Sequence, residues 1–135
     1  MATPGGKEVD SWPKGIFAFT LFVENLAATK QFYQDVFGLP IEYEDDASAV
    51  FNFGNTVINL LKTTEAHGLI EPASVAGPEA GSRFQITIQV DDVDAMCAEL
   101  RKRGVELLNG PMDRPWGIRT AAFRDPGGHI WEIAK

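Results

Sequence analysis

Residues 16–23, IFAFTLFV, and residues 83–90, RFQITIQV, fall on one another when residue 16 is placed on residue 83. Phe17 then meets Phe84, Ala18 meets Gln85, Phe19 meets Ile86, Thr20 meets Thr87, Leu21 meets Ile88 and Val23 meets Val90. Both stretches alternate with the two-residue period of a β-strand. A helix follows each. Asn25 is a fitting N-cap ahead of Leu26, Phe32, Tyr33, Val36 and Phe37, and Gly38 is a stop; Asp92 and Gly104 bracket Val93, Met96, Cys97 and Leu100 in the same way. Three strand candidates come after each helix, at 39–43, 47–53 and 56–62 in the first half and at 105–108, 118–124 and 129–134 in the second. The closing strands also superpose, with Val57 on Ile130, Ile58 on Trp131, Asn59 on Glu132 and Leu60 on Ile133. Such a repeat decides architecture before any motif does. It predicts an α+β protein of two tandem βαβββ modules, 15–62 and 83–135, forming a curved mixed sheet around a concave cleft.

Around this repeat the remaining sequence is simple. Residues 1–14, with two Pro, two Gly and an isolated Trp12, read as a flexible arm ahead of a single domain at 15–135, and residues 63–82 read as a connecting loop. The chain has 135 residues with 12 Lys and Arg against 19 Asp and Glu, a net charge of −7, which argues against a phosphate-backbone or anionic-membrane partner. Cys97 stands alone, so neither an internal disulfide nor a cysteine zinc cluster is available, and a reducing, cytoplasmic address is expected. No apolar run has the length of a membrane span.

If the apolar parity of each strand packs on its helix, the other parity lines the cleft. Ala18, Thr20, Phe22, Asn59, Gln85, Thr87, Gln89 and Glu132 share that parity. Glu132 is the residue to watch, since an inward carboxylate is costly unless it is paired or used. It reads either as a metal ligand, general base or cation anchor, or as a strand carboxylate paired with Arg119. A tight Asp125–Gly128 turn with Arg124 opposite His129 would set Glu132 opposite Ala121, with Arg119 and Phe123 on its face. The segment PMDRPWG, 111–117, brings Arg114 and Trp116 to the mouth of the cleft, where they can meet a carboxylate and stack on a flat ligand; Phe22 and one of Phe51 or Phe53 are candidate aromatic walls. The acidic run from Glu42 to Asp46 is a candidate source of negative field. His129 and His67 read as a strand-edge and a loop histidine, and Met96 and Cys97 as helix packing.

The xxFYxxxxG helix within NLAATKQFYQDVFGLP (25–40), the helix VDDVDAMCAELRKRGVE (90–106) and the DPxGxxxE ending of FRDPGGHIWEI (123–133), set in a βαβββ duplication, resemble the vicinal oxygen chelate superfamily. Glyoxalase I, bleomycin resistance proteins, extradiol dioxygenases and fosfomycin resistance enzymes belong to it. The resemblance implies metal ligands on the first and last strand of each module, here Ala18, Asn59, Gln85 and Glu132. Glu132 is a strong hard-cation ligand, Gln85 and Asn59 are amide donors, and Ala18 has no donor. The closest character is therefore that of a bleomycin resistance protein, sequestering a cationic or aromatic compound without a metal or other cofactor. Ligand contacts are then expected from Phe22, Phe51, Gln85, Arg114, Trp116, Arg119 and Glu132. The alternative is a lyase of the lactoylglutathione type, or a dioxygenase, in which Gln85 and Glu132 hold Mn, Fe, Co, Ni or Zn and Glu132 is catalytic. The resemblance also implies a homodimer that completes two clefts.

Overall fold

The computed structural model describes residues 11–135; of the arm expected over 1–14, residues 1–10 lie outside the described residues. The first module runs β1 (Ala18–Val23), α1 (Leu26–Phe37), β2 (Tyr43–Glu44), β3 (Ser48–Asn52) and β4 (Val57–Lys62). The second runs β5 (Gln85–Gln89), α3 (Val93–Lys102), β6 (Leu107–Asp113), β7 (Arg119–Arg124) and β8 (Ile130–Ala134). Each module is a four-stranded mixed sheet, in the orders β1-β4-β3-β2 and β5-β8-β7-β6, with β1 parallel to β4 and β5 parallel to β8. The fold is α+β with two βαβββ modules, as the repeat implies. Both helices start where a side chain takes the first free amides: Asn25 Oδ1 accepts from Ala28 N at 3.0 Å, and Asp92 Oδ1 from Ala95 N at 3.0 Å. Gly38 ends α1 in the left-handed region at φ 67°.

Alternation then sorts each strand. Leu21, Val23, Ala49, Phe51, Ile58 and Leu60 from the first sheet are buried together with Ala121, Phe123, Trp131 and Ile133 from the second, in one core shared with Tyr33, Val36, Cys97 and Leu100 of the helices. Tyr33 sits between the two sheets, its ring 5.4 Å from Phe51 and 5.9 Å from Trp131, and Phe53 stacks on Trp131 at 5.3 Å. The helix-facing sides of the sheets therefore meet across α1, and their open faces look away from each other.

Four features differ from the sequence expectation. The strand expected at 39–43 is confined to β2 at Tyr43–Glu44. The connection 63–82 is not all loop: α2 (Thr63–Ile70) continues directly from β4, and a short 3-10 turn follows at Pro78–Ala80. α2 buries only Ala66 and carries Gly68, so it has no apolar stripe to read. The strand expected at 105–108 extends to Asp113, through a bulged register against β7. At the β7–β8 turn, Asp125 N donates to His129 O and Arg124 pairs with Ile130, leaving Pro126, Gly127 and a left-handed Gly128 as the loop. The connection from Arg124 to its partner is one residue longer than expected. Glu132 consequently lies opposite Ala122, not Ala121, and Arg119 and Phe123 belong to the other face.

Candidate functional site

The open face of the second sheet carries the polar residues. Gln85, Thr87 and Gln89 are exposed along β5, and Glu132 is half-buried on β8 directly beside Thr87, whose Oγ1 donates to Glu132 Oε1 at 2.9 Å. Across β7 the same face holds Thr120, Ala122 and Arg124. The β6–β7 hairpin closes with Arg114 N on Ile118 O and Gly117 N on Arg114 O, which turns the Arg114 side chain back over this face. Its Nε donates to Thr120 Oγ1 at 2.8 Å and its Nη2 to Asn109 Oδ1 at 3.2 Å, while the guanidinium carbon lies 6.0 Å from the Trp116 ring centroid. Trp116 itself is 69% exposed, an aromatic plate mostly open to solvent. Gln85, Glu132, Arg114 and Trp116 thus share one sheet face.

Other candidates lie elsewhere. Phe51, expected on the wall of the cavity, has no exposed surface and packs on Tyr33; Phe53 packs on Tyr33, Phe37 and Trp131. Both occupy the apolar parity of β3 and its extension, and the core took them. Arg119, expected beside Glu132, faces α3 instead: Nε and Nη2 grip the Asp94 carboxylate at 2.8 and 2.9 Å, and Nη1 reaches Asp113 at 3.1 Å. These hydrogen bonds, Asp94 first, raise the Arg119 pKa, and the guanidinium holds Asp94 below the usual carboxylate range. The acidic run also turns away. Glu44 pairs with Lys30 of α1 at 2.8 Å, and Asp45 accepts from Ala47 N, Ser48 N and Ser48 Oγ within its own turn, which lowers its pKa. His67 is exposed on α2, and His129 Nδ1 lies 3.1 Å from the buried Asp125 carboxylate at the β7–β8 turn.

On the first sheet, Ala18, Thr20 and Phe22 share the open face with Asn59, whose Oδ1 is enclosed without a hydrogen-bond partner among the described residues. Ala18 and Asn59 are therefore not brought together with Gln85 and Glu132 within one chain. The four positions supply one carboxylate, two amides and no donor from Ala18, and a hydroxyl already engages one Glu132 oxygen. Hard or borderline divalent ions call for several carboxylate or imidazole ligands. Among the described residues no three His, Cys, Asp or Glu side chains cluster in a way that would hold a metal. This donor set does not fit a resident metal.

A group missed by sequence reasoning lies beneath the site. Tyr33 OH donates to Asp125 Oδ2 at 2.7 Å and accepts from Trp131 Nε1 at 3.2 Å, while Asp125 also takes Gly127 N and His129 N. It ties α1 to the turn ahead of β8 and so to the strand bearing Glu132. Tyr33 and Asp125 stand far apart in sequence, and no local pattern announces their meeting.

Two βαβββ modules, each with an open sheet face and polar residues on its first and last strands, define a scaffold built by duplication. A family model for the Glyoxalase/Bleomycin resistance protein/Dioxygenase superfamily matches residues 15–133, and the chain belongs to that superfamily. The uncharacterized protein YraH of Bacillus subtilis (strain 168) is 37% identical over 120 residues, covering 85% of this chain and 93% of its own length. The metallothiol transferase FosB of Staphylococcus epidermidis is 27% identical over 123 residues, covering 89% and 82%. Among solved structures, a glyoxalase/bleomycin resistance protein/dioxygenase from Nocardioides superposes with a TM-score of 0.83 at 22% identity, over 93% of this chain and 85% of that one. The lactoylglutathione lyase of Agrobacterium tumefaciens gives 0.70 at 23% identity, over 90% and 93%. At such identities the two structures speak for the fold alone.

Proposed function

We propose that the protein binds an aromatic or cationic small molecule on the open face of its second sheet and sequesters it unchanged, without a resident metal. The observation that carries this reading is Glu132. Among the described residues it is the only acid at the paired positions of that face; one carboxylate oxygen is held by Thr87 and the other has no donor among them. Exposed Gln85 and Gln89 supply amides beside it, and Trp116 offers a stacking surface. Two copies complete the cleft: β1 and β5 are both edge strands, and exposed Phe17 and Phe84 flank them at equivalent points of the repeat.

The test is elemental analysis of the protein after exposure to Mn, Fe, Co, Ni and Zn and dialysis, paired with thermal shifts against a panel of aromatic amines and aromatic acids. We expect no stoichiometric metal, and stabilisation by panel members that the Glu132→Gln variant reduces. Near-stoichiometric metal that disappears in Glu132→Ala would overturn the reading in favour of a metal-dependent lyase, isomerase or dioxygenase.

A further inference from the structure

The charges on this face are not those of a simple cation receptor. One carboxylate, Glu132, stands against two guanidiniums: Arg114, folded over Thr120, and Arg124, exposed opposite Ile130. The opposite charges nearest the centre do not pair with each other. Glu132 is drawn toward β5 by the Thr87 hydroxyl, while Arg114 is held over β7 by Thr120, and β8 lies between those strands. Thr87 lies opposite Glu132 and Thr120 opposite Ala134, so two strand spacings and a two-residue offset put the anchoring hydroxyls about 12 Å apart. That leaves room for one benzene ring between two charge-assisted hydrogen bonds. Arg114 is not used up by its own hairpin. Of the five N–H groups of a guanidinium, Nε and one on Nη2 are engaged, so three remain to grip a carboxylate in forked geometry. Trp116 lies beside it as a largely exposed plate.

We infer that the ligand is a flat zwitterion, an aromatic ring with an amine at the Glu132 end and a carboxylate at the Arg114 end, the ring lying across β8 and reaching toward Trp116. The inference rests on the proposed function for the location of the site, and goes beyond it in the charge and length of the ligand. Arg114 is then the residue that determines specificity, since it separates zwitterions from plain amines.

Calorimetry with 4-(aminomethyl)benzoate, benzylamine and benzoate tests this on the full chain and on two variants, Arg114→Gln and Glu132→Gln. The zwitterion is expected to bind at least about tenfold more tightly than either truncated probe, as loss of one charged hydrogen bond implies. Arg114→Gln should bring the zwitterion down to the benzylamine level and leave benzylamine unchanged; Glu132→Gln should bring it down to the benzoate level. Arg114→Lys, which keeps the charge and loses the fork, guards against a variant that fails to fold, and should fall between wild type and Arg114→Gln. Equal binding of benzylamine and the zwitterion would overturn the inference while leaving the proposed function standing. So would absence of all three probes where other amines from the thermal panel bind through Glu132. Stoichiometric metal at Glu132 would overturn both.

Discussion

At the scale of single residues, the strongest commitment in the molecule is the buried trio of Tyr33, Asp125 and Trp131. Tyr33 and Trp131 are almost completely enclosed, and Asp125 is 2% exposed. Each polar atom there has left water, so each must be satisfied from within. In Tyr33→Phe the ring packing survives, but Asp125 loses a donor and the indole N–H loses its acceptor. We expect a loss of about 1–3 kcal/mol for groups stranded in this way, measured as a lower urea midpoint with unchanged slope. The phenol also has a pH signature. Burial first, and then the Asp125 charge, push the Tyr33 pKa far above its ordinary 10.0 in the folded protein. The stability contributed by the neutral phenol is therefore fully present below pH 10 and is lost as pH rises beyond it, where the unfolded chain releases a proton that the folded one retains. Of the two tyrosines, exposed Tyr43 should titrate alone in the native protein, with Tyr33 ionising only together with unfolding, as followed by phenolate absorbance and circular dichroism. Independent titration of both would contradict the hydrogen-bonded burial of Tyr33.

Among the elements, turns and bulges set which residues face the ligand. Gly128 and Gly110 both have positive φ, at 87° each, yet their surroundings differ. A Cβ on Gly128 meets nothing within 4 Å, so Gly128→Ala should cost only the backbone penalty, about 1–2 kcal/mol. A Cβ on Gly110 would sit 2.5 Å from Thr120 O and 2.7 Å from Ala121 Cα, rigid backbone that has to move. Gly110→Ala should therefore cost clearly more than Gly128→Ala in thermal unfolding, and should disturb Thr120, which holds Arg114. The same two places explain what the sequence made legible. Strand parity, caps and the duplication are periodic or local; they located β1, α1, β5 and α3 and put Gln85 and Glu132 on the open parity of their strands. Turn length is not periodic: a single residue at Pro126–Gly128 exchanged Ala121 for Ala122 opposite Glu132 and carried Arg119 to the α3 side. Phe51 and Phe53 could serve wall or core until long-range packing chose, and α2 shows no stripe because it buries one residue.

For the whole molecule the decisive question is what lies against the two equivalent edges formed by the first strand of each module. β1 and β5 each have one neighbour, and Phe17 and Phe84 stand beside them 82% and 51% exposed. Unpaired strand edges flanked by aromatics invite association, and proteins that remain monomeric blunt such edges with charge or cover. The duplication gives the pairing a natural geometry. Because Phe17 and Phe84 are equivalent in the repeat, β1 of one copy can meet β5 of another in a closed twofold arrangement, each copy using both edges once. The open face bearing Ala18, Thr20 and Asn59 would then stand over that bearing Gln85 and Glu132 from the other copy, which a single chain keeps apart. Burying a Phe side chain is worth about 2–3 kcal/mol, and a symmetric dimer counts each substitution twice. Phe17→Lys with Phe84→Lys, which sets like charges across the seam, should thus shift sedimentation from dimer to monomer at micromolar concentration, while the core, which contains neither residue, keeps its near-ultraviolet circular dichroism. The unsubstituted chain should unfold at a temperature that rises with protein concentration, as mass action requires of a folded dimer. A wild-type chain that sediments as a monomer throughout, with a concentration-independent midpoint, would confine the binding face to the second sheet; Asn59 would then contribute nothing to the ligand.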